Sequence, residues 1–283
     1  MKTKIIYTEK CLEYGGITGP ENSQRLFFAA QILKDKGYQF AEPQAALEKD
    51  ILLAHKKSYV TAVKKGTVDD PDAPAYDNIF DYAKLAAGAA IDAAKVCGFS
   101  LMRPPGHHVG IAGKAMGAFT RGFCYFNNLA IAVRKMDKKT IIIDIDGHHG
   151  NGTQEIFAGD KKNTYLSLHR NNVFPQTGSL PRGNAHNHPL PAECGGKVYV
   201  QALKNDLEEI ALQIKNAEMV AVSAGFDTRM GDIVSLGLMA EDFFEIGRQI
   251  ARLGLPVFSV LEGGYDLKNL GIDVDAYLQG LES

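Results

Sequence analysis

The sequence predicts an α/β fold, in which one domain spanning residues 1–283 is built on an open parallel sheet with helices on both faces. Three observations predict this class. Apolar, β-rich runs alternate with helical patterns along almost the whole chain, several runs are continuously apolar as doubly buried strands are, and polar clusters follow the ends of these runs. Since no repeat, low-complexity tract or long linker divides the sequence, a single domain is expected.

The predicted strands and helices alternate in the order that a parallel sheet with crossover helices requires. The predicted strands are Lys4–Tyr7, Phe99–Met102, Thr140–Ile145, Asn163–Leu168, Met219–Ser223 and Pro256–Leu261. The predicted helices are Glu21–Lys36, Tyr76–Cys97, Tyr125–Lys135, Lys197–Lys215 and Ala240–Leu253. Gly98 ends the second of these helices.

The composition is that of an ordinary globular protein, with 45% hydrophobic and 23% charged residues and a formal net charge of -2. Lysines and arginines are scattered, so no nucleic-acid partner is expected. The N-terminal apolar run is too short for a signal peptide, and no membrane association is expected. The four cysteines form no CxxC and indicate neither a zinc finger nor a disulfide framework. We therefore expect a cytoplasmic protein, and an oligomer is compatible with the sequence.

Polar clusters directly follow five of the predicted strands. These clusters are Arg103–His108, Asp146–Gly150, His169–Arg170, Ala224–Asp227 and Glu262–Tyr265. Ligands bind at the carboxyl ends of the strands in open α/β sheets, so we expect the five clusters to form one crevice.

Three of these residues, Asp146, His148 and Asp227, predict a metal site. Asp144, Asp146 and His148 occupy alternate positions, so they project from one face if the strand geometry continues. Carboxylates packed beside an imidazole repel and desolvate badly without a cation. With Asp227 from another strand, the triad leaves one position open, as catalytic zinc sites do. Its ligand types also suit iron(II), cobalt and manganese.

Proton-transfer groups accompany this triad in the same clusters. His107 and His108 follow a stiff Pro-Pro-Gly turn, and histidine titrates where a water loses a proton and an amine gains one. Asp144 is placed to orient one of them and Asn151 the other. Tyr265 follows two glycines, and its phenol is expected to donate to the oxygen of a tetrahedral intermediate.

Together these residues resemble the histone deacetylase and acetylpolyamine amidohydrolase superfamily, in its class II-like bacterial or archaeal type. The motifs RPPGHH, GFCYFNN, DIDGHHGNGTQ, FPQTG, AGFD and LEGGY occur in the family's order between Pro20 and Tyr265. The resemblance implies an arginase/deacetylase-like fold and one Zn²⁺ per chain on the predicted triad. It also implies hydrolysis of an N-acyl amide, with an acetylated lysine peptide or a small acetylated amine as the substrate.

The resemblance assigns roles to further residues. It implies a potassium site formed by Asp144, Asp146, His148, Ser167 and Leu168. It implies substrate contacts by Asp72 at the rim, Phe123 and Phe174 as tunnel walls, Gly122 at the floor, Arg25 along the acetate exit, and Val234. Polyamine-selective relatives tend to carry an acid at the position of Val234, so its apolar side chain favours acyl-lysine substrates.

The sequence departs from the family pattern at two places. Gly19 stands where many relatives have histidine, and the stretch Val109–Arg121 is longer than the usual loop. With its three glycines, this stretch is expected to form a mobile lid or an oligomer contact near the entrance of the pocket.

Two alternative functions remain open at the sequence level. The first is an arginase-like ureohydrolase that holds two manganese ions through additional Asp ligands. The second is a catalytically silent binder of acyl-lysine or polyamine on the same scaffold.

Overall fold

Eight strands form one sheet in the computed structural model of the chain, which describes residues 2–283. They are β1 (Ile5–Ile6), β2 (Phe40–Ala41), β3 (Phe99–Ser100), β6 (Thr140–Asp144), β7 (Thr164–Arg170), β8 (Ala185–Leu190), β9 (Met219–Ala224) and β10 (Val257–Leu261). A separate antiparallel hairpin is made by β4 (Val109–Gly110) and β5 (Gly113–Lys114). The sheet order is β2-β1-β3-β10-β9-β6-β7-β8, and each neighbouring pair runs parallel.

Helices surround this sheet and supply the crossovers between its strands, except between β7 and β8, which are connected by a loop. They are α1 (Gln24–Asp35), α2 (Glu48–Ile51), α3 (Lys57–Lys64), α4 (Ile79–Val96), α5 (Asn128–Met136), α6 (Asn151–Phe157), α7 (Gly196–Glu209), α8 (Ala211–Lys215), α9 (Ala240–Ala251) and α10 (Leu270–Leu281). The predicted α/β class with a parallel sheet is therefore confirmed. Within residues 2–283, no helix combines the length and the apolar character needed to cross a membrane.

All six predicted strands exist, but the prediction missed two strands of the sheet, both strands of the β4–β5 hairpin and several helices. β2 is only two residues long, and β8 reads Ala-His-Asn-His-Pro-Leu, a polar pattern that hides an edge strand. An edge strand tolerates proline because one side of it needs no ladder hydrogen bonds. The prediction also missed α2, α3, α6 and α10. The predicted helix Lys197–Lys215 is interrupted at Ile210, which caps α7 and precedes α8.

The strands at the centre of the sheet are the most deeply buried part of the core. Every residue of β6 and β9 is buried, and this is why their sequences are almost continuously apolar. Because β3, β10, β9, β6 and β7 are consecutive neighbours, their carboxyl ends lie side by side. The loops that follow these five strands carry the predicted functional residues.

Candidate active site

The expectation that all five clusters form one crevice is only partly confirmed, because His169 and Arg170 line a separate cavity. Three of the other clusters line one pocket, and Ala224–Asp227 adjoins it through Asp227, whose Oδ2 is 2.8 Å from Nδ1 of the lining residue His148. This pocket has a volume of about 190 Å³. It is lined by Asp72, Pro105, His107, His108, Gly122, Phe123, His148, Phe174, Ile233, Gly263 and Tyr265.

Asp146, His148 and Asp227 lie together beside this pocket. Their ligand atoms all lie within 4.8 Å of one another, and they are the single such group of three or more among residues 2–283. His148 Nδ1 is 3.1 Å from Asp146 Oδ1 and 2.8 Å from Asp227 Oδ2. Both carboxylates are fully buried.

The donor set of this triad fits a divalent cation. Asp227 Oδ2 is buried and accepts no hydrogen bond, although it lies close to His148 Nδ1. The single imidazole hydrogen of His148 cannot compensate the buried charges of both carboxylates. A cation bound by all three side chains would compensate them.

Backbone groups hold the outer oxygens of the two carboxylates. Gly147 N donates to Asp227 Oδ1 at 2.7 Å, and Gly263 N donates to Asp146 Oδ2 at 2.8 Å. A Cβ at Gly225 would lie 2.1 Å from Asp146 Oδ2, so the chain can approach this carboxylate only with glycine there. These contacts turn the remaining carboxylate oxygens towards His148.

The close approach of these charged groups also shifts the pKa values of His148 and Asp227. Burial lowers the pKa of His148, but the charges of Asp227 and Asp146 outweigh it and raise the pKa to about 9. Burial and the charge of Asp146 raise the pKa of Asp227 to about 6. Both shifts arise from the negative charge of two buried carboxylates that lie close together.

The strand does not continue through these residues, so the alternating geometry expected for Asp144, Asp146 and His148 is wrong beyond its first member. β6 ends at Asp144, and Asp146 and His148 stand on the following loop. Asp144 Oδ1 accepts from Asp146 N at 3.2 Å, an Asx-type contact that turns the chain.

His107 is paired with a carboxylate. Its Nδ1 lies 3.1 Å from Asp144 Oδ2, which also accepts from Tyr165 OH at 3.0 Å. Burial lowers the pKa of His107, but the carboxylates of Asp146, Asp144 and Glu262 outweigh it and raise the pKa to about 10.

His108 is paired with a neutral amide. Its Nδ1 lies 2.8 Å from Asn151 Oδ1, while Asn151 Nδ2 donates to Ala115 O at 2.9 Å. Because the amide nitrogen is used by Ala115, the oxygen faces His108, which must carry its hydrogen on Nδ1. Burial and the charges of His107 and His148 hold the pKa of His108 well below its usual range. Its Nε2 therefore keeps a free lone pair.

Tyr265 lines the pocket on the side formed by the β10 loop. Its ring lies 6.0 Å from that of Phe123, and the Arg25 guanidinium lies 4.6 Å from its centroid. Burial raises the pKa of Tyr265 well above its usual range, so the phenol keeps its proton. Arg25 is itself buried and donates to Gly264 O and Glu262 O, so it supports the tyrosine loop and is not a surface arginine.

Glu262 is a buried residue that the sequence prediction did not single out, although it belongs to LEGGY. Its Oε2 accepts from Gly106 N at 2.7 Å and from His107 N at 3.1 Å, and its Oε1 accepts from Ser223 Oγ. Burial raises its pKa to about 7. An acidic residue directly after a buried strand was the signal that could have identified it.

The residues assigned to the substrate occupy different depths. Asp72 is exposed at the rim, and Gly122, Phe123 and Phe174 line the pocket. Val234 is an exception: it is 3% exposed and packs on Gly147, and the half-exposed Ile233 lines the pocket in its place. The expectation that Val234 faces the substrate is therefore corrected to Ile233.

The residues assigned to a potassium ion surround the buried end of β6 and β7. Ser167 Oγ lies 2.9 Å from His169 Nδ1, and Tyr199 OH lies 3.5 Å from Leu168 O. These are hydroxyl and carbonyl oxygens, the hard donors that alkali and alkaline-earth cations take.

Comparison with known proteins places these residues in a family context. A protein-family model described as "Histone deacetylase domain" matches residues 19–281. A probable deacetylase of Archaeoglobus fulgidus is 34% identical over 96% of this chain and 85% of its own length. The acetylpolyamine amidohydrolase of Mycoplana ramosa is 35% identical over 71% of this chain and 63% of its own length. The crystal structure of the HDA15 HD domain superimposes with a TM-score of 0.89 at 29% identity, covering 99% of this chain and 88% of that one.

Proposed function

Because the chain belongs to the histone deacetylase family, a family of metal-dependent hydrolases, we propose that it hydrolyses the N-acyl amide of an acetylated lysine side chain. The observation that carries the proposal is the meeting of three metal-ligand side chains, two differently paired histidines and a protonated tyrosine at one narrow pocket.

Asp146, His148 and Asp227 would hold one Zn²⁺ ion. An ion at this position would polarise the amide carbonyl and lower the pKa of a water to about 7. A binuclear arginase-like centre is disfavoured because Asp144, a further buried carboxylate next to the triad, is hydrogen-bonded to Tyr165 and paired with His107.

The two histidines divide the proton transfers. His108 stays neutral with Nε2 unprotonated, so it is suited to accept a proton from the attacking water. His107 is held as a proton donor by Asp144 and is suited to protonate the leaving amine. Pairs of titratable groups whose environments push their pKa values apart commonly take these separate roles.

Tyr265 and the aromatic walls act on the acyl group. The Tyr265 phenol donates a hydrogen bond to the carbonyl oxygen as negative charge develops there. Phe123 and Phe174 enclose the aliphatic part of the lysine side chain, and Gly122 leaves space for the acyl group.

The rim favours an acyl-lysine peptide over an acetylated polyamine. Asp72 is the only carboxylate among the described residues that line the pocket, and the half-exposed Ile233, which also lines it, is apolar. A carboxylate at the rim accepts backbone N–H groups of a peptide, whereas a polyamine carries a further ammonium group that needs an acid of its own.

A potassium ion held by Asp144, Asp146, His148, Ser167 and Leu168 completes the proposed site. Such a monovalent ion would fix the carboxyl ends of β6 and β7 in place. It would act through the backbone that carries Asp146 and His148, without touching the substrate.

Acyl release from a defined panel tests the proposed function. We expect the zinc-loaded protein to release acetate from acetyl-lysine peptides more efficiently than from acetylated polyamines, and to release no urea from arginine. Tight binding of the peptides without release would identify a silent binder instead, and urea formation would identify a ureohydrolase.

A further inference from the structure

The stretch Val109–Arg121 connects two walls of the pocket. It begins directly after His108 and ends directly before Gly122 and Phe123, and all three of these residues line the pocket. The extra residues of this stretch therefore lie between two parts of the chain that face the substrate.

The first part of the stretch is fixed to α6. It forms the β4–β5 hairpin, and the Glu155 carboxylate accepts hydrogen bonds from Ile111 N at 3.0 Å and Met116 N at 3.2 Å. Ala115 O accepts from Asn151, the partner of His108. These bonds argue against a hairpin that swings freely as a lid.

The last residue of the stretch, Arg121, is buried with 1% exposure. Its Nε and its backbone N both donate to Asp70 Oδ2, at 3.2 and 3.0 Å. Its Nη1 donates to Tyr59 OH at 2.9 Å, and its Nη2 donates to Ala73 O at 2.8 Å. A planar guanidinium can satisfy these divergent acceptors at once, and a lysine ammonium cannot.

Asp70 carries this connection to the rim of the pocket. It is buried, and its Oδ1 accepts from Asp72 N at 3.1 Å and Ala73 N at 3.2 Å. A single carboxylate thus fixes the backbone of Asp72 with one oxygen and Arg121 with the other.

The backbone that follows Arg121 has little freedom. Gly122 and Phe123 have φ angles of 47° and 67°, in the left-handed region that a bulky residue such as phenylalanine rarely adopts. A Cβ at Gly122 would lie 2.5 Å from His108 Cδ2 and 2.9 Å from Phe174 Cε1. Such a conformation persists only where the surrounding contacts fix it.

We propose that Arg121, paired with Asp70, is a positioning residue that sets the distance between the Gly122–Phe123 wall and the Asp72 rim, and thereby the acyl length that the pocket accepts. This inference rests on the proposed function, because it takes the pocket to be the acyl-lysine site. Without the guanidinium, the buried Asp70 carboxylate keeps only the more distant Lys114 ammonium, 4.0 Å away, and the backbone N of residue 121 as partners of Oδ2. The common anchor of the two segments is then weakened.

Acyl selectivity is the first readout. In R121M we expect kcat/KM for an acetyl-lysine peptide to fall by about tenfold or more, as misplaced walls commonly cause. The loss should be smaller for the matched butyryl-lysine peptide, so the acetyl-to-butyryl ratio shifts towards butyryl. D70N should shift the ratio in the same direction, and the R121M/D70N double variant should lose less than the sum of the single variants.

R134M is the matched control, because it removes an arginine that pairs with Asp160 on the α5 side of the sheet. We expect R134M to keep the wild-type acyl ratio. An acyl ratio in R121M equal to that of R134M would overturn the proposal, even if the R121M protein were less stable.

Hydrogen–deuterium exchange gives a readout that needs no activity. We expect residues 69–74 and residues 121–126 to exchange faster together in R121M but not in R134M. If the wild-type protein hydrolyses no acyl-lysine, the proposed function fails, and exchange alone then decides whether the two segments share this anchor. Unchanged exchange in either segment would refute the anchor.

Discussion

Two adjacent histidines with the same side chain are placed in opposite electrostatic environments at this site. His107 faces the Asp144 carboxylate and His108 faces the Asn151 amide. The sequence predicted that these two residues would orient the pair, but it could not say which residue serves which histidine. That choice depends on the loop that brings Ala115 O to the Asn151 amide.

Removing the Tyr265 hydroxyl tests its role directly. In Y265F we expect kcat on an acetyl-lysine peptide to fall by roughly a hundred- to thousandfold, the usual cost of one lost oxyanion donor. The metal content should stay at the wild-type value, because the phenol is not a predicted ligand. A Y265F enzyme with wild-type kcat and full metal content would exclude the phenol from catalysis.

A buried histidine away from the pocket predicts acid sensitivity. His55 Nδ1 lies 2.9 Å from Gly110 O, Asn127 N donates to its Nε2, and burial lowers its pKa from 6.5 to about 4. Below about pH 6.5, His55 therefore binds a proton in the unfolded chain, whereas in the folded chain it stays neutral until about pH 4. His55 stabilises the fold fully above this window, and on the order of 3 kcal/mol is lost as the pH falls through it.

Urea unfolding of H55Q between pH 7.5 and pH 4.5 measures this effect. Glutamine supplies one donor and one acceptor without titrating, so the free energy of unfolding of H55Q should fall less steeply with pH than that of the wild type. Identical slopes for the two proteins would show that His55 does not carry the effect.

Ile233 and Glu262 are two residues of the site that the sequence did not predict. Val234 was assigned to the substrate by the family resemblance, yet its neighbour Ile233 lines the pocket, because a loop without periodic geometry does not determine which side chain faces inwards. Glu262 lies in a recognised motif, but its bonds to Gly106 and His107 cross 156 and 155 residues of chain. Such long-range contacts leave no local signal.

At the scale of elements, Glu262 joins the end of β10 to the loop that follows β3. In E262A we expect kcat to fall by about tenfold or more, since the Gly106 and His107 amides lose their acceptor and His107 is no longer held. E262Q retains a carbonyl acceptor of the same shape, so it should recover most of the activity. If E262Q and E262A lost equal activity, the charge of Glu262 would matter more than its hydrogen bonds.

The sequence was most informative for long, apolar elements and least informative for short or polar ones. Thr140–Ile145 and Met219–Ser223 were predicted within one residue of β6 and β9, because doubly buried strands must be apolar. β8 escaped notice because two histidines and a proline interrupt it at the sheet edge. The stretch Val109–Arg121 was expected to form a mobile lid or an oligomer contact, and its hydrogen bonds to Glu155 could not be predicted from the sequence.

At the scale of the whole molecule, the sheet order explains why the candidate site is so negative. Neighbouring strands place Asp144, Asp146, Asp227 and Glu262 together in the interior, all of them buried. A bound divalent ion should therefore stabilise the entire fold, because the unfolded chain cannot assemble the triad.

Chelation should reveal this coupling. At a free ion concentration of about a thousand times Kd, binding contributes roughly 4 kcal/mol, so removing the ion should lower Tm by on the order of 10 °C. The same chelator should leave the Tm of H148A unchanged, because this variant lacks one ligand. If chelation left the wild-type Tm unchanged, the prediction that the triad binds a stabilising metal ion would be wrong.

The most direct test of the account is a metal titration in which bound metal and turnover are measured on the same samples. Metal-free protein is loaded stepwise with Zn²⁺, and acetyl-lysine hydrolysis is followed at each step. We predict that activity rises in proportion to bound zinc and saturates at one ion per chain. We also predict that H148A neither binds zinc nor becomes active. Saturation at two ions per chain, or full turnover by metal-free H148A, would contradict a single catalytic metal on Asp146, His148 and Asp227.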